Sequence, residues 1–195
     1  MLTTARLTLR PFTYGDAPAF QMLAGDWDVA RMTSDIPHPL DAVRARHWLQ
    51  PATGEQRFAI CRKGVLIGGV GTFRRESGLG ELGFWLGHAW WGQGFATEAA
   101  RAVLTHGLET SAYTGYSSSY FDDNPASRRV LEKLGFAPAG TGTIWSEARR
   151  ATVGAQWVWM SLERATELHL TPHPQAPALP QRRWGAILDR LPRFG

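Results

Sequence analysis

Apolar and polar residues repeat along this chain with two different periods, and the switches between them delimit the predicted elements. Alternation predicts strands, most clearly at 6–10 and 156–162, and apolar residues three and four apart predict helices. Asp16 and Asp41 are placed to cap two early helices, which are separated by a predicted loop at 25–40. In chain order the pattern gives a strand, two helices, three strands, a helix, a strand, a helix and two strands. This order predicts a single mixed α/β domain.

The segment 81–108 is the most informative part of the pattern. Residues 81–86 predict a buried strand, and Gly92 and Gly94 predict a turn before an alanine-rich helix. The first N–H groups of a helix have no partners within it and carry the positive end of its dipole. Such a turn is therefore able to bind a phosphate through main-chain atoms alone. An ordinary strand-to-helix turn is the alternative interpretation.

A second informative helix is predicted after a strand at 115–120. Asn124 is placed to cap this helix, Pro125 suits its first turn, and Gly135 is placed to end it. Its predicted inward-facing residues are Val130, Leu131 and Leu134. Two further strands are predicted to follow it.

Length, composition and charge limit the class of protein. The chain has 195 residues, which suits one domain, and no apolar run long enough to cross a bilayer. Its N-terminus lacks the apolar stretch of a signal peptide, and the single cysteine, Cys61, suits a core position in a cytoplasmic protein. Much of the net charge of +4 lies at 182–195, and the chain has no basic run interleaved with aromatic residues, so nucleic acid is not an expected partner. A membrane is not an expected partner either, because no apolar run is long enough. Pro172 interrupts any helix between His169 and His173, so no metal pair is expected.

The C-terminal part of the chain differs in composition from the rest. Residues 1–166 form the predicted domain, 167–181 a Pro-rich linker, and 182–195 a short amphipathic segment. The apolar residues of the last segment have helical spacing, but a helix this short is not stable alone. It is expected to dock on its own domain, on a second copy in a homodimer or on another partner, or else to stay disordered.

Four segments of this chain resemble the GNAT superfamily of acetyl-CoA-dependent N-acetyltransferases. They lie in matching order at 6–11, 81–86, 90–99 and 123–136, and are similar to the RimJ/RimL branch, typified by ribosomal-protein N-terminal acetyltransferases. The resemblance spans about residues 3–165. It implies a GNAT-type acyl-CoA N-acyltransferase fold of the α/β (α+β) class, with about seven strands in a mixed sheet and about four flanking helices.

The resemblance implies acetyl-CoA as the co-substrate and no metal. Main-chain N–H groups of the glycine turn would hold the pyrophosphate, a backbone N–H near Leu86 would polarise the thioester carbonyl, and Asn124 would bond the pantetheine amides. Trp91 departs from the wider family, which usually has Gln or Arg there, but is similar to the RimJ/RimL branch. The implied cofactor residues are Leu86, Trp91, Gly92, Gln93, Gly94, Phe95, Ala96, Thr97, Asn124, Ser127 and Arg128.

Acetyl transfer to an amine requires a group that takes the amine proton. It also needs a proton donor for the leaving thiolate, but this demand is mild because the pKa of a thiol is only about 8.5. Glu81 is the only carboxylate in its apolar strand, where burial would make it a better base, direct or through water; a structural carboxylate is the alternative. Leu131 stands where many GNATs have a proton-donating tyrosine. Ser127 is the nearest hydroxyl, and the resemblance to RimL implies it as donor; a serine that only satisfies local backbone is the alternative.

The resemblance implies that the loop at 25–40 contacts the acceptor. Trp27 and Met32 would wall the pocket, and Asp35, with its acidic neighbours, would attract a cationic amine; a solvated acidic loop is the alternative. The resemblance therefore predicts an N-acetyltransferase for a peptide α-amine or a small amine. A catalytically weak GNAT-fold sensor or scaffold for acyl-CoA and an unrelated nucleotide-binding α/β protein are the other hypotheses.

Overall fold

A computed structural model of the protein describes residues 1–51, 53–110 and 113–168. Its strands are β1 (Leu2–Thr3), β2 (Thr8–Pro11), β3 (Glu55–Arg62), β4 (Val65–Arg74), β5 (Gly80–Leu86), β6 (Gly115–Phe121), β7 (Ala137–Ser146) and β8 (Ala151–Ser161). Its α-helices are α1 (Ala17–Ala24), α2 (Trp27–Ala30), α3 (Ala42–Trp48), α4 (Phe95–Thr110), α5 (Pro125–Leu134) and α6 (Leu162–Glu167). The predicted mixed α/β fold is confirmed. The described residues contain eight strands and six α-helices, more than the expected seven and four, because β1, α2 and α6 are too short to leave a periodic pattern.

All eight strands form one sheet in the order β1-β2-β3-β4-β5-β6-β8-β7. Neighbouring strands are antiparallel except β5 and β6, which are parallel and pair only at Gly80 with Tyr116 and Glu81 with Ser117. Beyond these two pairs β5 and β6 part, while each stays paired to its other neighbour. The sheet is therefore split at its centre.

One face of the sheet is covered by α4 and α5. The apolar side of α4 is fully buried there, as its spacing predicted, and Leu131 and Leu134 of α5 belong to the same core cluster. Phe84 and Leu86 of β5 also face this side. The N-termini of α4 and α5 are thus both placed beside the gap.

The opposite face is covered by α1, α2 and α3. Phe20 of α1 stacks on Trp48 of α3 with ring centroids 4.5 Å apart, and Trp85 of β5 contacts the Phe20 ring edge-on. Cys61 is buried in this cluster, as predicted, and burial raises the pKa of its thiol. This face is therefore strongly aromatic.

Three of the four predicted helix ends are confirmed. Asp41 accepts the N–H of Arg44 at 2.8 Å, Asn124 accepts that of Ser127 at 3.0 Å, and Gly135 ends α5 with a φ of 91°. Asp16 was predicted to cap α1, but its side chain makes no capping bond there.

Asp16 instead binds upstream groups. It forms an ion pair with Arg10 at 2.6 Å and accepts the N–H of Thr13 at 2.7 Å. Charge-assisted bonds to a guanidinium are stronger than a bond to a neutral N–H. The Arg10 hydrogen bond, the largest influence, holds the pKa of the Asp16 carboxyl below its usual value.

The described residues continue to Leu168, and the predicted domain boundary at 166 stays a prediction. Ser161 caps α6 by accepting the N–H of Arg164 at 3.0 Å, and Leu168 packs against the core next to Gly135. The predicted linker and amphipathic segment otherwise lie outside the described residues. No helix within the described part of the chain is long and apolar enough to cross a bilayer.

Candidate active site

A groove of about 970 Å³ occupies the gap between β5 and β6 and is lined by residues from both faces of the sheet. Most of the residues predicted from the sequence line it together. They are Met32, Asp35, Glu81, Leu86, Trp91, Gly92, Gly94, Phe95, Ala96, Thr97, Asn124 and Ser127. The structure therefore brings the candidate cofactor, catalytic and acceptor residues to one place, although they are far apart in sequence.

The glycine turn forms one end of the groove. Gly92 and Gly94 have φ values of +74° and +80°, a left-handed conformation that favours glycine, and a Cβ at Gly92 would meet nothing within 4 Å. The N–H of Glu98 donates to the Gly94 carbonyl at 3.1 Å. The N–H groups of Phe95 and Ala96 therefore lie in the first turn of α4, where no partner exists within the helix.

Arg6 holds this turn in place, a role that the sequence pattern did not reveal. Its Nη1 donates to the Gln93 carbonyl at 3.0 Å, its Nε pairs with Glu98 at 2.7 Å, and its guanidinium lies over the Phe95 ring. Burial raises the pKa of the Glu98 carboxyl, but hydrogen bonds from Thr4 and Arg6 outweigh it and leave that pKa below its usual value. The side chain of Gln93 bonds to the Ala89 carbonyl.

The open edge of β5 presents backbone groups to the gap. The N–H of Gly87 donates to Ile67 of β4 at 2.9 Å, and because backbone groups alternate along a strand, those of Leu86 point the other way. The Leu86 carbonyl accepts the indole N–H of Trp91 at 2.8 Å, which leaves the Leu86 N–H facing the gap. Where the strands meet, Ser118 donates its hydroxyl to the Leu82 carbonyl at 2.8 Å.

The N-terminus of α5 forms the other wall on this face. Ser127 is half-buried and lines the groove, and its backbone N–H is held by Asn124. Arg128 does not line the groove, because it is paired with Glu132 at 2.7 Å on the solvent side of the helix. Neighbouring Arg129 lines it instead. Residue types alone gave no means of choosing between these two arginines.

Tyr120 is a second hydroxyl that the sequence analysis overlooked. It lies in β6, is half-buried and lines the groove close to the start of α5. Its hydroxyl makes no hydrogen bond within the part of the chain that the structure describes. Apolar–polar alternation in β6 is weak, so the facing of this residue was not predictable.

Glu81 lines the groove, but with a partner that was not expected. Its carboxylate is ion-paired with Arg75, and its side chain is 25% exposed. The hydrogen bond to Glu81, the largest influence, raises the pKa of Arg75. The chain reverses between β4 and β5 and so brings Arg75 across to β5. The role of Glu81 as the base stays a prediction.

The acidic loop is mostly satisfied by its own contacts. Asp35 lines the groove but accepts the indole N–H of Trp48 at 2.9 Å, and Asp26 caps α2. Asp28 pairs with Arg31. Trp27, predicted to wall the acceptor pocket, is not among the groove-lining residues and packs its exposed ring against His38. A short helix forms here instead of a loop, and it turns Trp27 toward solvent.

Arg149 joins this loop to the start of α5. Its guanidinium binds both carboxylate oxygens of Asp123 at 2.9 and 3.0 Å, and its Nε donates to the Arg31 carbonyl at 2.8 Å. The Arg149 hydrogen bond is the main reason why the pKa of Asp123 lies below its usual value. The network fixes the position of Met32 and Asp123 on two sides of the groove.

A turn with two left-handed glycines at a helix N-terminus, next to two parallel strands that part, defines an α/β protein with a groove able to bind a phosphate group through main-chain N–H groups. The family model described as an acetyltransferase (GNAT) domain matches residues 6–137 of this chain. The chain belongs to this GNAT acetyltransferase family, and the resemblance found in the sequence is confirmed. It is an acetyl-CoA-dependent acyltransferase.

Related proteins and structures agree with this assignment. The chain is 29% identical to the uncharacterized N-acetyltransferase p20 of Bacillus licheniformis over 158 residues, 76% of this chain and 88% of the relative. Its fold is similar to that of RimL, a ribosomal L7/L12 α-N-protein acetyltransferase solved with coenzyme A (TM-score 0.72, 17% identity, 83% and 97% of the two chains). It is also similar to that of a Vibrio cholerae spermidine N-acetyltransferase solved with coenzyme A and spermine (TM-score 0.71, 16% identity, 84% and 99%).

Proposed function

We propose that the protein transfers the acetyl group of acetyl-CoA to a primary amine, either a peptide N-terminal α-amine or a small amine, by direct attack in a ternary complex. The observation that carries the proposal is the single groove that joins the bare glycine turn on one face of the sheet to a pocket on the other face. A thioester carrier and an amine are thereby able to meet at the open edge of β5. Related structures named for a protein N-terminus and for spermidine support a primary amine as acceptor.

The described residues fit acetyl-CoA at the glycine turn. The space beside Gly92 is open, and the first N–H groups of α4 offer donors to a pyrophosphate. Arg129 and Lys133 line the groove near the turn and have no ion-pair partner among the described residues. Both add positive charge where the phosphates would lie. The Leu86 N–H is placed to donate to the thioester carbonyl.

Two proton transfers are assigned to residues at the centre of the groove. Acetyl-CoA supplies the activated acyl group, and its thiol leaves as a thiolate. Ser127 is the proposed proton donor to that thiolate, and Tyr120 is a second hydroxyl in the same wall. Glu81 is proposed to accept the amine proton through water, since Arg75 already occupies one side of its carboxylate.

A catalytically weak acyl-CoA sensor is the second candidate. Leu131 stands where many relatives carry a tyrosine, and it is buried in the core at 1% exposure, so it offers the thiol no proton. Calorimetry with acetyl-CoA, combined with thiol release and mass spectrometry of an amine panel, tests both functions. Turnover with an acetylated amine product supports the transferase. Tight binding without any turnover supports the sensor, and no binding contradicts both.

A further inference from the structure

The acceptor half of the groove has a floor without side chains. Gly69 and Gly71 of β4 lie beside Gly83 of β5, and Gly71 pairs directly with Gly83 across the two strands. All three line the groove, on the same side of the sheet as Trp85 and Glu81. Glycine inside a strand weakens it and often marks a place where a ligand approaches the backbone.

A side chain at any of these glycines would meet a neighbour. A Cβ at Gly69 would lie 2.6 Å from Trp85 Nε1, and one at Gly71 would lie 2.5 Å from the Gln56 carbonyl oxygen. A Cβ at Gly83 would lie 3.1 Å from the edge of the Phe73 ring. Glycine at position 83 therefore lets the Phe73 ring lie against the strand, and a larger residue there would displace that ring.

Aromatic rings surround this floor. Phe12 and Trp48 meet edge to face at 5.6 Å, and Phe73 and Trp85 complete the walls. The Trp85 indole N–H is buried and has no acceptor among the described residues, so this wall is aromatic and carries one unpaired hydrogen-bond donor. Flat apolar groups pack well against such walls.

Three of the four carboxylates that line this half of the groove are ion-paired within the described residues. The pairs are Glu55 with Arg57, Glu81 with Arg75, and Asp123 with Arg149. The fourth, Asp35, accepts only the neutral indole N–H of Trp48, and that contact does not offset its negative charge.

We infer that the acceptor is a primary amine that carries an aromatic group close to the amine. The inference rests on the proposed function and specifies its substrate. Two sources present this chemistry: a free arylalkylamine, and a peptide whose first residue is aromatic. In both, the ring would pack against the Phe73 and Trp85 side chains beside Gly83, with the amine near Glu81.

The test compares acceptors by thiol release at saturating acetyl-CoA. 2-Phenylethylamine, a peptide beginning with phenylalanine, the same peptide beginning with glycine, and spermidine are the substrates. We expect kcat/KM to be at least tenfold higher for an aromatic acceptor than for spermidine or the glycine peptide. Whichever aromatic substrate is preferred identifies the source. Equal or better turnover of spermidine or the glycine peptide would overturn the inference and leave the proposed function intact.

A floor variant tests the location. Gly83→Leu should lower kcat/KM for the aromatic acceptor at least tenfold, Gly83→Ala should lower it less, and both should leave the Kd of acetyl-CoA within twofold. Full activity of Gly83→Leu would place the acceptor elsewhere. If this variant does not fold, or if no amine is turned over, calorimetry decides. The wild-type protein with CoA should bind 2-phenylethylamine at least tenfold more tightly than spermidine, and the reverse order would refute the inference independently of catalysis.

Discussion

Gly92 and Gly64 offer a matched pair for testing the phosphate site. Both have left-handed backbones, with φ values of +74° and +81°, and a Cβ at either position would meet nothing within 4 Å. Gly92 lies in the glycine turn, whereas Gly64 lies in the turn between β3 and β4 and does not line the groove. A non-glycine residue at either site costs about 1–2 kcal/mol of backbone strain, and aspartate tolerates this conformation better than most. Gly92→Asp and Gly64→Asp should therefore lose similar stability.

The two variants should differ sharply in cofactor binding. A carboxylate at position 92 would lie on the order of 5 Å from a bound pyrophosphate, where two like charges repel by roughly 1–3 kcal/mol at effective dielectric constants between water and a protein surface. This corresponds to a Kd for acetyl-CoA raised about 5- to 150-fold. Gly92→Asn has nearly the same size without the charge and should weaken binding much less. Gly64→Asp should bind like the wild type.

Calorimetry with acetyl-CoA, with thermal melts of all variants alongside, measures these effects. The difference between Gly92→Asp and Gly92→Asn should shrink at high salt, because ions screen an exposed charge. Wild-type affinity in Gly92→Asp would refute the assignment of the turn to the pyrophosphate. An equal loss in Gly64→Asp would show that strain or overall charge, and not proximity to the phosphate, caused the effect.

Three further changes test the catalytic wall and its supports. Ser127→Ala should lower kcat by about tenfold or more with little change in the Kd of acetyl-CoA; unchanged kcat would exclude its hydroxyl as the proton donor. Arg6→Ala frees the glycine turn and leaves Glu98 unneutralised beside it, so acetyl-CoA should bind about 5- to 20-fold more weakly, and Glu98→Gln in the same chain should restore part of the loss. The lowered pKa of Asp123 contributes stability above its unfolded pKa of about 4, which is lost as the pH falls through the lower folded pKa. Urea unfolding should therefore show Arg149→Met less stable than wild type at neutral pH, with a gap that narrows in acid; a gap independent of pH would contradict the ion pair's role.

Local sequence signals predicted the elements and the glycine turn. Gly92, Gly94 and Asn124 act through backbone conformation and capping within a few residues, so their neighbours in sequence were sufficient to predict the turn and the cap. Asp16 failed as a cap for the opposite reason. Arg10, which draws its carboxylate away, acts through tertiary geometry that sequence spacing does not encode.

The acceptor end of the groove was much less predictable. Its walls come from β2, α3, β4 and β5, and no single segment carries the aromatic pocket as a pattern. The acidic residues of the 25–40 loop suggested attraction of a cation, yet Asp35 is bonded to the Trp48 indole. Whether a carboxylate is free or paired depends on contacts between distant segments, which no local pattern in the sequence shows.

The departure of Trp91 from the wider family acquires a physical meaning at the open edge of β5. In a strand, the N–H and C=O groups of one residue point to the same side, perpendicular to the strand. Leu86 would therefore present its carbonyl oxygen to the gap together with its N–H. That oxygen would repel a thioester carbonyl as it gains negative charge. The Trp91 indole binds it at 2.8 Å and withdraws part of its charge, which leaves the Leu86 N–H as the dominant group facing the proposed reaction centre. Trp91 therefore links the cofactor turn to the strand edge where transfer is proposed to occur.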